Sequence, residues 1–283
     1  MEPLDKLIVI VGTTASGKSA LAMKIALENN GEIICADSRT VYRGMDIGTA
    51  KPTVQDQKLV KHHLLDVVNP DEPFTVADFQ QLAQQAITDI QKRGKTPVMV
   101  GGTGLYIDSI LYNFKFRPVN AHLRKELELL NVDELQQRIE EQGLKLPNNT
   151  QNPRHLMRVL EAAGQPSVKK SLRENTLVLG LTIPEGELKE RITNRVEQMV
   201  AQGLEQEVKS LSKRYGWQAE AMKGIGYQEF KAYFAKEQTL EETKAQITKN
   251  TWAYARRQRT WFKRNPDIQW QDTIEHPSAT IEE

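Results

Sequence analysis

The 283-residue chain has a single cysteine, Cys35, which excludes an internal disulfide framework. Its five histidines fall into no Cys/His pattern with zinc spacing. The adjacent pair His62-His63 would point different ways on a helix or a strand, which argues against a shared metal and for packing or a hydrogen bond to Asp66. No apolar run is long enough to cross a bilayer, and Met1-Glu2-Pro3-Leu4-Asp5 lacks the basic start of a secretory leader. A cytoplasmic protein with no membrane partner is therefore expected. Net charge is also scarce: 38 Lys plus Arg against 37 Asp plus Glu leave +1, which favours no class of partner. Repeats and low-complexity segments are missing as well.

What the chain does carry begins with Gly12-Thr13-Thr14-Ala15-Ser16-Gly17-Lys18-Ser19. This GxxxxGK[ST] loop follows the apolar run Leu7 to Val11 and precedes a helical pattern with Leu21, Ile25 and Ala26 on one face. Glycines let the backbone wrap an anion, and successive N–H groups with the positive end of the helix hold it. Lys18 adds a mobile positive charge, and Ser19 offers a hydroxyl to a Mg2+ shared with the phosphates. The loop specifies phosphate or pyrophosphate, not a nucleotide.

Glu32 to Ala36 reads as a short buried strand ending at Asp37-Ser38-Arg39. Ligands of an open parallel sheet sit beyond the carboxyl ends of its strands, which puts Asp37 near the phosphates; the alternative is a turn cap. Val41 to Pro52 reads as an irregular binding loop. Thr75 to Arg93 has the cap and apolar stripe of a helix. The buried strand Pro97 to Val100 then runs into Gly101-Gly102-Thr103-Gly104. Nucleotide hydrolases of the P-loop class end the comparable strand with an Asp that supports Mg2+, and its lack here weakens an ATPase or GTPase reading. The glycines allow a ligand or another backbone to come close.

The expected fold is α/β, a P-loop parallel-sheet core formed by residues 1–113 and 176–283 with a small helical insertion at 114–175. In the insertion, His122 to Gln142 reads as one helix and Arg154 to Ala163 as another, with Arg154 and Arg158 one turn apart. Such a pair serves phosphate contacts, a solvated face or a partner to Glu161. Leu177 to Thr182 returns as a strand, followed by a long helix, about Glu185 to Tyr215, bent near Gly203. The last helix, Thr239 to Lys263, is basic. Between Lys244 and Arg264 lie seven Lys or Arg and no acid, interleaved with Trp252, Tyr254, Trp261 and Phe262. The aromatics read as a core stripe, with Arg256 and Arg257 left for a nucleic-acid backbone. The last dozen residues are expected to be loose.

Together these residues resemble the tRNA dimethylallyltransferase (tRNA isopentenyltransferase) family. The resemblance rests on Gly12 to Ser19, Asp37-Ser38-Arg39, Tyr42 to Pro52, His63 to Asp66 and Gly101 to Tyr106. Further along it rests on Arg154 and Arg158 with Leu160-Glu161, Gly226-Tyr227, and Tyr254 to Gln258. It implies transfer of a dimethylallyl group from its pyrophosphate to the exocyclic N6 amine of the adenosine 3′-adjacent to the anticodon. It further implies that the loop Gly12 to Ser19 grips the donor pyrophosphate with Mg2+, that Asp37 is the general base, and that Thr103 lies at the reacting centre. Ser38, Arg39, Thr40, Arg154 and Arg158 would meet tRNA, with Arg256 and Arg257, while the insertion grips the anticodon stem-loop. Thr13 stands where the family usually has Pro, Thr40 where it has Gln, and the segment Leu146 to Pro153 is short. Lys223 stands where some relatives carry an Arg, and is assigned that residue's charge toward pyrophosphate. A monomer is expected. The competing readings are a P-loop small-molecule kinase, a prenyltransferase for free adenosine phosphates and a non-enzymatic, nucleotide-dependent RNA-binding switch.

Overall fold

Leu7-Ile8-Val9-Ile10-Val11 is apolar on both faces, as a strand covered on both sides must be. In the computed structural model, which describes residues 6–116, 121–163 and 171–272, this run is the central strand β1 (Leu7–Gly12), buried throughout. Around it lie β2 (Gly31–Cys35), β3 (His62–His63), β4 (Thr96–Gly101), β5 (Thr176–Thr182) and β6 (Gln269–Asp272). Among the described residues they form one sheet, ordered β3-β2-β4-β1-β5-β6, with every pairing parallel. The carboxyl ends of β1, β2 and β4 therefore lie side by side, and the loops that leave them meet at one edge.

The helices of the larger unit before the insertion are α1 (Lys18–Glu28), α2 (Val54–Leu59), α3 (Val76–Lys92) and α4 (Gly104–Leu111). Thr75 opens α3 with a reciprocal capping box to Asp78, as its spacing predicts. The chain divides into two compact units, Met1–Leu111 with Leu172–Glu283, and Tyr112–Ser171. The smaller unit holds α5 (Ala121–Leu127), α6 (Val132–Glu141) and α7 (Pro153–Glu161), closed over its own apolar core of Leu127, Leu135, Ile139, Leu156 and Leu160. The single helix expected from His122 to Gln142 is two, because Asn131 caps α6 with its side chain on the Glu134 N–H and ends the run begun by α5. Lys169 and Lys170, and all but the first of the last dozen residues, lie outside the described residues.

After β5 come α8 (Glu185–Ala201), α9 (Leu204–Tyr215), α10 (Phe230–Phe234) and α11 (Leu240–Phe262). The bend near Gly203 is a full break: Gly203 has φ 102°, a left-handed conformation that ends α8 and starts α9. The stretch from Val41 to Ile47 is irregular, as expected, but its apolar side chains are anchored. Val41, Tyr42 and Met45 are buried with Val196, Leu204, Val208, Met222, Tyr227 and Phe230 in one apolar cluster. The histidines are also placed differently from the expectation. His63 Nε2 meets Glu32 Oε2 at 2.7 Å, and His62 Nδ1 meets the Val60 carbonyl at 2.7 Å. Neither turns to Asp66, which instead receives Lys51 Nζ at 2.6 Å. Glu32, almost wholly buried, also pairs with Arg93 and Lys95, and the Arg93 hydrogen bonds hold its carboxyl well below the usual range against the opposing cost of burial.

Candidate active site

The phosphate loop follows β1 directly. Ala15 (φ 60°) and Gly17 (φ 86°) adopt left-handed backbone, the geometry that turns successive N–H groups into an anion-binding concavity. No side chain caps the start of α1 and its first turn carries no acid, so its N–H groups and positive dipole end stay available. Lys18 Nζ donates to the Thr13 carbonyl at 3.0 Å. Its pKa falls to about 8, because burial disfavours the charge and Arg195 repels it, while Asp37 acts in the opposite sense. The hydroxyls of Thr13 and Ser16 are buried without a hydrogen-bond partner. Ser19, further along on the first turn of α1, is exposed.

Asp37 leaves β2 beside this loop. Its Oδ1 accepts the N–H groups of Arg39 at 2.8 Å and Thr40 at 3.4 Å, so the turn-cap role weighed for it is present and fixes the carboxylate. The loop after β4 is stitched to it: Ser38 N–H donates to Thr103 Oγ1 at 3.1 Å. The close approach that glycine permits is made here by protein, not ligand. A Cβ on Gly101 would lie 2.0 Å from the Ala36 carbonyl oxygen, and one on Gly102 2.1 Å from Gln258 Nε2.

A cavity of about 370 Å3 opens at this edge, lined by Thr14, Asp37, Arg39, Arg195, Lys223 and Tyr254 among others. Four cations, Arg39, Arg195, Lys223 and Arg257, face it against one acid, Asp37, so it suits an anion. Val196, Met199, Ile225 and Ile247 add apolar wall. Four contributors have no site role assigned from the sequence, although Tyr254 and Gln258 lie in the run that carries the resemblance. Arg195 comes from α8, where it reads as one more surface charge. Glu207, on α9, accepts the N–H groups of Asp46, Ile47 and Gly48 at 3.0, 2.8 and 3.1 Å and the Tyr227 hydroxyl at 2.6 Å, holding the cavity-lining Gly48 in place. Gln258 and Tyr254, on α11, reach the phosphate loop and Thr103, respectively. Burial pushes the Tyr254 hydroxyl up to about 12, so it stays protonated at neutral pH.

The model of the IPP transferase family matches residues 40–265. The chain belongs to the IPP transferase family. It is 41% identical to tRNA dimethylallyltransferase 1 of Pelobacter propionicus, covering 98% of this chain and 96% of that one. The structure of the full-length tRNA isopentenylpyrophosphate transferase from Bacillus halodurans is similar, with 37% identity, a TM-score of 0.74, and coverage of 95% and 90%. A eukaryotic dimethylallyltransferase described as acting on tRNA is similar at 27% identity with a TM-score of 0.77, over 95% of this chain and 74% of its own.

Asp37, Ser38 and Arg39 line the same cavity as Thr14 and Lys223. Arg39 Nη1 donates to the Glu220 carbonyl at 2.9 Å, and Lys223 pairs with Glu220 at 3.0 Å. Thr40 is 6% exposed, and its N–H lies in the turn capped by Asp37. Arg257 lines the cavity and lies over the Tyr254 ring at 5.7 Å, whereas Arg256 is exposed elsewhere on α11. The aromatic stripe of α11 is only partly core: Phe262 is buried, while Trp261 is 39% exposed and donates to Asp108 Oδ2 at 3.1 Å. In the smaller unit Arg158 pairs with Glu161 at 3.5 Å, and Arg154 is exposed at the start of α7. No group of three metal-ligating side chains exists among the described residues. An ion that keeps most of its waters and shares phosphate oxygens would need few protein ligands, and the exposed Ser19 hydroxyl on the first turn of α1 would be one. No helix among the described residues is long and apolar enough to cross a membrane.

Proposed function

We propose that this chain transfers the dimethylallyl group of dimethylallyl pyrophosphate to the N6 amine of the adenosine 3′-adjacent to the anticodon in tRNA. The observation that carries this reading is the meeting of an anion loop and a fixed carboxylate at one cationic cavity. Thr14 of that loop, Asp37 and the cations Arg39, Arg195, Lys223 and Arg257 line it together, in a chain of the IPP transferase family. The names of its relatives supply the substrate class.

The chemistry follows from the charges. The bond between the allylic carbon and the pyrophosphate oxygen breaks, with its electron pair leaving on pyrophosphate. Lys18, the uncapped N–H groups at the start of α1 and the cavity arginines stabilise that charge. Groups aimed in advance at a developing charge often contribute more to catalysis than any other single effect. Mg2+ held by Ser19 would supply further charge neutralisation at the phosphates. The allylic carbon forms its new bond to N6 of adenine, whose proton goes to Asp37. The amine becomes acidic as it attacks, so a carboxylate is a competent base. The adenine leaves its stack to reach the cavity, at a cost of a few kcal/mol, less in a single-stranded loop. Arg154, Arg158 and Arg256 are assigned the tRNA backbone, which fits their exposure or position on basic helix faces.

The test uses dimethylallyl pyrophosphate labelled in its prenyl group, unmodified tRNA and Mg2+. Label should move to RNA with the wild-type chain and stay behind with Asp37→Ala, while tRNA affinity is retained. Label on tRNA with Asp37→Ala at the wild-type rate removes Asp37 as the base. Phosphate moved from ATP to a small acceptor, with no label on tRNA, would instead favour a kinase.

A further inference from the structure

Gln258, on α11, is held at both ends of its amide. It is 5% exposed, its Oε1 accepts the Thr14 N–H at 2.8 Å, and its Nε2 donates to the Gly102 carbonyl at 3.0 Å. Both bonds span more than 150 positions of sequence, from the last helix to the loops after β1 and β4. Gly102 has no Cβ at the one place where it would strike Gln258 Nε2, so the contact depends on that glycine. The hydroxyl of Tyr254, one helical turn earlier, lies close enough to the side chains of Gln258 and Thr103 to interact with both. Thr103 Oγ1 in turn accepts the Ser38 N–H, next to Asp37. Gln258 thus ties Thr14 to Gly102, Thr103 ties the same loop to Ser38 beside Asp37, and Tyr254 stands between Gln258 and Thr103.

We infer that Gln258 and Tyr254 form a positioning pair that sets the distance between the donor-holding loop and the base-bearing loop. The inference rests on the reading above, in which the first loop holds pyrophosphate and Asp37 takes the proton. The two loops leave different strands, β1 and β2, and β4 lies between those strands in the sheet. Strand pairing fixes where the loops begin but not where their tips stand. A buried amide has one acceptor and two donor hydrogens, which suits it to meet an N–H, a carbonyl and a hydroxyl together. Displacing reacting groups by about 1 Å can cost on the order of 100-fold in rate without loss of binding. The pair therefore acts on the chemical step and not on the hold of either substrate.

The experiment compares Gln258→Met and Tyr254→Phe with the wild-type chain in the labelled-prenyl assay, each sample normalised to sites that bind inorganic pyrophosphate. The expected result is a single-turnover rate lowered by roughly 10- to 100-fold in Gln258→Met. The dissociation constants for pyrophosphate and tRNA should stay within about twofold, and the pH profile should keep its shape. Tyr254→Phe should show the same split with a smaller drop. Unchanged rates in both variants overturn the inference, and so does a loss confined to substrate affinity. If Gln258→Met does not fold, Gln258→Glu carries the test, since it keeps the bond to Thr14 and loses the donor to Gly102; a normal rate there also overturns the pair. Wild-type transfer of label to tRNA, measured in the same series, separates failure of this inference from failure of the assigned reaction.

Discussion

Removing the Glu207 carboxylate should loosen the segment around Gly48 at a cost that can be worked from its contacts. Glu207 accepts three backbone N–H groups and one phenol hydroxyl, at 2.6 to 3.1 Å. Hydrogen bonds to a charged group contribute about 1.5–3 kcal/mol each when fully buried. Glu207 is partly exposed, so water can replace some of them in Glu207→Ala, and about 3 kcal/mol in total is a reasonable magnitude. For a chain of this length that corresponds to a fall in melting temperature of roughly 5 °C. Tyr227→Phe removes one of the four bonds and should cost about 1 kcal/mol. Because the hydroxyl meets Glu207, that cost should nearly vanish when both changes are combined. The assay is thermal and urea unfolding of the wild type, both single variants and the double variant. A Glu207→Ala chain melting within about 2 °C of wild type, or a strictly additive double variant, refutes the reasoning. Since Gly48 lines the cavity, transfer activity should fall in the same series.

Three further outcomes are expected. Gly101→Ala would press a Cβ to 2.0 Å from the Ala36 carbonyl oxygen, and a backbone atom cannot swing aside, so a loss of at least about 3 kcal/mol should appear in urea unfolding. Lys18 titrates near 8 in the free chain, where burial and Arg195 favour its neutral form, and a bound anion favours the charged form. Pyrophosphate binding at about pH 8.5 should therefore take up more protons than in Lys18→Met, measured by calorimetry in buffers of different ionisation enthalpy. The folded-state pKa of Glu32 is held low by Arg93, so its contribution is present above its unfolded value and lost as pH falls below it. Glu32→Gln should be less stable than wild type by about 3 kcal/mol near neutral pH, with the gap narrowing between about pH 5 and 3 in urea unfolding.

The sequence by itself determined the central strand and its phosphate loop, because a run buried on both faces and a loop that must wrap an anion leave little choice of residue type. It also determined the cap of α3 and the end of β2 at Asp37, since each depends on residues within a few positions of one another. The family is legible for the same reason, from short runs whose spacing survives in the linear chain. What depends on distant partners is not. Glu32 receives the histidine that proximity in sequence gives to Asp66, because the parallel pairing of β2 with β3 sets His63 opposite Ile34, close to the buried carboxylate. The stretch from Tyr42 to Pro52 has the composition of a binding loop, yet backbone donors within it are satisfied by a helix more than 150 residues away. Thr40, whose neighbours in sequence suggest an RNA contact, is buried by packing that those neighbours do not reveal. Arg195 and Glu207 belong to the site only through the tertiary structure, and so do the contacts of Tyr254 and Gln258, although those two lie in a run that carries the resemblance. Each lies on a helix whose periodicity reports which face is buried but not which loop that face will meet.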